Sequence, residues 1–209
     1  PETEEARGDY EGIPEIDFEA QWEINPDICG WICMPQTLVD CPVLRNGNSG
    51  DPHDAYYLDT TVGGESGLPG SIYMEPCNSP EFTDFNTVIY GHNMKNGTMF
   101  GELDKLEDEA FFEAHEFIYI VTPDKVRVYR VYGWVNYDDR HIMASYDFSE
   151  EEQCRAFLDS LSEDGTESRF REEMEVTEED RLLTLSTCVK GQEDRRFLVE
   201  AVLTEEWER

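Results

Sequence analysis

Three short stretches of this 209-residue chain carry side chains able to do covalent chemistry. The first is Tyr90-Gly91-His92-Asn93-Met94, directly after the apolar run 86–90. His92 stands where a strand ends and Gly91 permits a turn, a rim position from which an imidazole could move protons. The second is Leu182-Leu183-Thr184-Leu185-Ser186-Thr187-Cys188, a strand pattern that finishes on a cysteine. Alternation puts Leu183, Leu185 and Thr187 on one face, with Leu182, Thr184, Ser186 and Cys188 on the other. Lys190, Arg195 and Arg196 follow closely, and such electropositive surroundings favour a thiolate. The third feature is Arg196, which opens the run 196–203. A short connection after Cys188 makes the two strands neighbours, so that the guanidinium projects beside the thiol and can clamp a developing oxyanion. Each feature alone has an ordinary reading: a solvated histidine, a buried strand cysteine, a surface salt-bridge arginine. In this order they make a proton carrier, a nucleophile and an anion clamp.

Many short strands are needed to bring these positions together. Runs rich in β-branched and aromatic residues, punctuated by Gly and Pro, lie at 30–34, 37–44, 55–58, 70–74, 87–90, 116–122, 126–137, 181–186 and 196–203. Two helical patterns interrupt them. One spans 99–114, with Phe100, Leu103, Leu106, Ala110 and Phe111 at helical offsets; the other spans 150–161, with Cys154, Phe157, Leu158 and Leu161 on one face and Ser149 as N-cap. Residues 16–24 fit a helix or a strand equally well. The pattern predicts a mostly-β barrel with inserted helices. Residues 1–14, acidic and holding Gly8, Gly12 and Pro14, read as a solvated, flexible lead-in, leaving 15–209 as a single domain.

Composition narrows the function. Hydrophobic residues at 39% and aromatics at 12% suffice for a core, which excludes wholesale disorder. Against 48 Asp and Glu stand 16 Lys and Arg, a net charge of −32, so a nucleic-acid partner is excluded for want of a basic face and an anionic membrane surface is disfavoured. The acidity is concentrated in residues 1–30 and 147–180 and reads as solvated face. No apolar run is long enough to span a bilayer. The six cysteines are too sparse for a disulfide scaffold. Cys29 and Cys33, four apart, would share a helix face, but His53, His92, His115 and His141 are scattered, so no metal ligand set is expected.

The chain resembles class B sortases, the cysteine transpeptidases of Gram-positive cell surfaces, over roughly residues 22–203. The resemblance is carried by 86–101, Asn-Thr-Val-Ile-Tyr-Gly-His-Asn-Met-Lys-Asn-Gly-Thr-Met-Phe-Gly, and by Thr184-Leu185-Ser186-Thr187-Cys188. Weaker support comes from 24–32, 56–58 and 70–74. It implies a closed β-barrel of about eight strands with an N-terminal helical segment and one long helix inserted late. Cys188 then matches the nucleophile, His92 the general acid/base, and Arg196 the arginine before the last apolar strand; Tyr90, Ser186 and Thr187 match the substrate groove, and 165–180 the loop covering it. It also implies sorting-signal proteins as substrates, with signals of the Asn-Pro-x-Thr type, and an amine of peptidoglycan precursor or a pilin as acceptor. No cofactor or metal is required. The implied location is the outer face of the cell membrane, reached through an N-terminal anchor. Cys41 and Cys77 stand where relatives carry aromatics, and an extracellular setting would let them pair, with Cys188 free. A hydrolytic cysteine peptidase and a silent acidic surface module are the competing readings.

Overall fold

The β-branched and aromatic runs condense into one sheet that closes on itself. The computed structural model describes residues 10–163 and 166–209, and its nine strands are β1 (Ile28–Cys33), β2 (Asp40–Leu44), β3 (Ile72–Met74), β4 (Asn86–Tyr90), β5 (Phe117–Val121), β6 (Lys125–Asp138), β7 (Ser168–Phe170), β8 (Leu182–Val189) and β9 (Gln192–Glu208). Their order is β5-β1-β2-β3-β4-β8-β9-β6-β7, and β5 also pairs with β6. That last pairing closes an eight-stranded barrel and leaves β7 attached outside it along β6. Closure removes the open strand edges that would otherwise invite association.

Alternation sorts the side chains as the pleat requires. Inward residues, among them Ile32, Val43, Ile72, Ile89, Ile120, Leu185 and Val199, form the central core. Outward residues Val88, Val135, Leu182 and Leu198 form a second layer, covered by Phe157 and Leu161. Helix α4 (Glu151–Ser160) buries Cys154 and Phe157 at helical spacing. The remaining helices are α1 (Phe18–Ile24), α2 (Glu109–Ala114) and α3 (Ile142–Ser145). Outside the barrel, the buried Arg171 ties β7 to its neighbours by donating from Nε to the Val131 carbonyl (2.9 Å) and from Nη2 to the Phe112 carbonyl (2.7 Å).

Several elements depart from the sequence reading. The open choice over 16–24 resolves as helix from Phe18 to Ile24, because the Asp17 carboxylate accepts from Ala20 N and caps α1. The run 55–58 is a 3-10 turn, not a strand. The helix expected over 99–114 breaks in two: a 3-10 segment, Leu103–Glu107, ends at Asp108, whose side chain then caps α2 through Phe111 N. At α4 the Ser149 hydroxyl donates to Asp147 instead of capping, and Glu150 is the cap residue. Cys29 and Cys33 lie in a strand, not on a helix.

The six cysteines are free thiols, so the expected Cys41–Cys77 pair is absent. The Cys77 sulfur faces Glu75 and His53 instead. The lead-in is partly outside the described residues. Its described part is not loose: Tyr10 stacks on Trp207 and donates to Glu205 at 2.7 Å. The segment 165–180 begins outside the described residues. From 166 onward it supplies β7 and packs Phe170, Met174 and Val176 onto the outer layer, walling no part of the cavity described below.

Candidate active site

Two strand pairings assemble the site. β4 and β8 run parallel with Tyr90 beside Ser186, so the residues that follow each strand leave the barrel on the same rim. β8 and β9 run antiparallel, with Ser186 opposite Leu198 and Cys188 opposite Arg196. Paired residues in such a ladder send their side chains to the same face, so the Cys188 thiol and the Arg196 guanidinium emerge side by side. Neighbours alternate away from them: Thr187 and Phe197 point inward, and Phe197 joins the central core.

The rim is fastened where the chemistry would occur. Gly91 N donates to the Ser186 carbonyl at 3.2 Å, and the Thr187 hydroxyl donates back to the Gly91 carbonyl at 2.7 Å. Asn93 Nδ2 donates to the Cys188 carbonyl at 2.9 Å. Gly91 has no room for a side chain, since a Cβ there would lie 2.2 Å from Ile72 Cδ1 and 2.9 Å from Phe100 Cδ2. His92 is therefore carried on a backbone pressed against the core.

The imidazole of His92 is oriented by Leu58, whose carbonyl lies 2.8 Å from Nε2. A carbonyl can only accept, so Nε2 carries a hydrogen and Nδ1 is left to exchange the mobile proton. This is what the 3-10 turn over Tyr56–Leu58 contributes. Cys188 is a free, exposed thiol, open to a substrate from solvent. Arg196 anchors one nitrogen, Nη1, on the carbonyls of Glu193 (3.0 Å) and Arg195 (2.9 Å).

A cavity of about 350 Å³ joins these groups; its walls include Tyr90, His92, Ser186, Thr187, Cys188 and Arg196. All six residues singled out from the sequence thus meet at one place. Their parts differ, however. The Thr187 hydroxyl is consumed by the Gly91 carbonyl, which makes it a fastener of the rim. Tyr90 lines the cavity, and its buried hydroxyl has no hydrogen-bond partner among the described residues. Burial, with Glu75 nearby, pushes that hydroxyl well above its ordinary range, so it stays a neutral donor.

Another wall was not legible in the sequence: it comes from Asp138, the last residue of β6, and the Asp139-Arg140-His141 that follow it, together with His53 and Glu75. Arg140 is neutralised by a fork onto Asp138, with Nε 2.8 Å from Oδ1 and Nη2 2.5 Å from Oδ2. Its partner holds that carboxyl below the usual range. Glu75 is 2% exposed, yet it meets two imidazoles: His141 Nε2 lies 2.7 Å from Oε1 and His53 Nδ1 lies 3.0 Å from Oε2. The only hint of this wall in the sequence is a run of four polar residues at the end of the long strand.

Comparison with known proteins points the same way. Residues 32–204 match the family model described as the sortase domain. Over 186 residues the chain is 33% identical to sortase B of Listeria monocytogenes serovar 1/2a (strain ATCC BAA-679 / EGD-e), spanning 87% of this chain and 71% of that one. The crystal structure of sortase B from B. anthracis in complex with AAEK2 superposes with a TM-score of 0.76 at 33% identity, covering 90% of this chain and 82% of its own. A Staphylococcus aureus sortase B–substrate complex gives a TM-score of 0.75 at 28% identity, covering 90% and 84%.

Proposed function

This chain belongs to the sortase family as a class B member, and so to the cysteine transpeptidases that act on sorting signals; we propose that its reaction runs at Cys188, with His92 and Arg196 as partners. The observation that carries the proposal is the single cavity walled by all three, two of them side by side on neighbouring strands. The Cys188 thiolate attacks the carbonyl carbon of the scissile peptide bond, and the carbonyl oxygen takes up the charge. Arg196 holds that oxyanion with the nitrogens it does not spend on Glu193 and Arg195. His92, protonated on both nitrogens and kept in place through Nε2–H, gives the Nδ1 proton to the leaving amine. A thioester remains. An amine then attacks it, His92 takes the amine's proton, and the thiolate leaves. One amide is made for one broken, so the exchange needs no external energy source.

The finer assignments follow the family resemblance. The signal is of the Asn-Pro-x-Thr type, cleaved after Thr, and the acceptor is an amine of peptidoglycan precursor or a pilin. The enzyme works on the outer face of the cell membrane. Tyr73 and Tyr90, stacked on each other at 5.4 Å between centroids, both line the cavity and give it apolar surface against which a peptide can lie.

Intact-mass spectrometry with a panel of sorting-signal peptides tests this. The expected result is a peptide-dependent mass gain that is absent in Cys188→Ala and discharged by added amine. Arg196→Ala should slow the gain by about 10²–10³-fold, the usual cost of one oxyanion donor. Discharge by water with no diversion to the amine would replace transpeptidation with hydrolysis. A gain that survives Cys188→Ala would overturn the assignment of the nucleophile.

A further inference from the structure

The cavity wall that contains His53 and Glu75 holds a second constellation that the transpeptidase reading does not use. Glu75 follows directly on β3, and Cys77 comes two residues later. Cys77 N donates to the Pro52 carbonyl at 2.9 Å, which pins the neighbouring His53 loop against it. His53 N is itself held by Asp51 Oδ1 at 2.9 Å. Three different donor atoms converge as a result. His53 Nδ1 lies 3.0 Å from Glu75 Oε2, Cys77 Sγ lies 3.7 Å from the same oxygen, and Cys77 Sγ lies 3.9 Å from His53 Nδ1.

Those three separations have the size of one face of a coordination tetrahedron. With zinc bonds of about 2.0–2.1 Å to N and O and about 2.3 Å to S, neighbouring ligand atoms stand about 3.3–3.6 Å apart. The observed edges bracket that range, so shifts of a few tenths of an ångström would seat an ion. The donor set is one sulfur, one imidazole nitrogen and one carboxylate oxygen, all within 4.8 Å of one another. Such a mixture suits zinc and its spectroscopic substitute cobalt and is wrong for calcium or magnesium, which take oxygen.

An outer partner is also in place. His141 Nδ1 accepts from Ala144 N at 3.2 Å, capping α3, so its Nε2 carries the hydrogen and donates to Glu75 Oε1 at 2.7 Å. That bond turns the other oxygen, Oε2, toward Cys77 and His53, the arrangement in which ligating carboxylates are commonly held. Entry is open, because His53 is about one-third exposed and with Cys77 borders a separate surface cavity next to Asn78 and Phe85. We propose that His53, Glu75 and Cys77 bind a zinc ion, with His141 as the positioning residue and the fourth coordination position open. Binding would join the His53 loop to the end of β3, stiffening that wall of the cavity. The site is independent of the proposed transpeptidation and stands or falls separately.

Cobalt(II) titration of the full chain tests it, in a Cys188→Ala background so that the exposed thiol adds nothing. The expected result is one equivalent bound, with thiolate-to-cobalt charge-transfer absorption in the near ultraviolet and the intense visible bands of four-coordination. Zinc should displace it. Cys77→Ser should abolish the charge-transfer band, and His53→Asn should weaken binding at least tenfold. His141→Ala should weaken it about 10–100-fold while keeping the band. Circular dichroism of each variant separates loss of a ligand from loss of fold. Absence of the band in the folded parent, or its persistence in Cys77→Ser, would overturn the proposal; in neither case would the peptide-adduct experiment be affected.

Discussion

Glu200 is a carboxyl group fully buried in the barrel wall. It sits in β9 opposite Thr184 at 0% exposure, and burial pushes its pKa up to about 8. The hydrogen bonds agree with a protonated acid. Thr184 Oγ1 lies 2.9 Å from Glu200 Oε2 and 3.0 Å from Asn86 Oδ1. One hydroxyl proton cannot serve both, so the chain of donation runs from the Glu200 acid to Thr184 and on to Asn86. In the unfolded chain the same group titrates near 4.3. Between those values the folded state binds one more proton, so stability is fully present below about pH 4 and falls as pH rises toward about 8. The slope is at most about 1.4 kcal/mol per pH unit, which over the roughly three units from pH 5 to 8 amounts to about 4 kcal/mol. Glu200→Gln keeps the shape and the donation to Thr184 but cannot ionise. The variant should therefore gain on the parent by about 4 kcal/mol between pH 5 and pH 8, a Tm difference that grows by on the order of 10 °C for a chain of this length. Thermal and urea unfolding of both proteins at pH 5, 6, 7 and 8 measures this. A difference that stays constant across the series would refute the reasoning, because every other titrating group is common to both.

Two further substitutions probe the rim. Gly91→Ala drives a methyl into Ile72 and Phe100; it should cost about 1–3 kcal/mol by overpacking and slow thioester formation by displacing His92, and an unchanged Tm together with an unchanged adduct rate would count against the tight seating inferred for Gly91. Thr187→Val preserves shape but leaves the Gly91 carbonyl without its 2.7 Å donor. A loss of about 1–3 kcal/mol is expected, with adduct formation slowed more than unfolding alone explains, as measured by intact mass at a temperature where the variant is fully folded.

Much of this architecture is written locally in the chain, and the failures have local causes too. The alternation of 182–188 sorts Leu183, Leu185 and Thr187 from Ser186 and Cys188, and the barrel buries the first set inward as expected. The run 99–114 has helical spacing throughout, but Asp108 can cap as well as continue, and capping wins. Residues 55–58 look like a strand because Tyr56 and Tyr57 favour one. Their backbone instead serves Ser71 N through the Tyr57 carbonyl and His92 through that of Leu58. β7 is three residues long, too short for any periodicity to announce it. Cys188 and His92, proposed above for the reaction, stand out in the sequence because each lies at or just past the end of a strand, and Arg196 because it leads into the apolar Phe197-Leu198-Val199, although β9 already begins at Gln192. The His53–Glu75–Cys77 cluster does not, because nothing local in the sequence relates His53 or His141 to the end of β3.

The parallel pairing of β4 with β8 makes the length of chain between them a free variable. Parallel neighbours share a direction, so whatever joins them must return to the starting edge, and both strands then deliver their last residues to the same rim. Cys188 lies 96 positions after His92 in this chain, yet the two are brought together by ladder register and not by the contour of the connection. Lineages could therefore lengthen, shorten or replace helix α4, which packs on the outer layer, without moving these two strand ends. The same freedom makes the α4 region a place where new recognition surface can be grafted with the chemistry left intact.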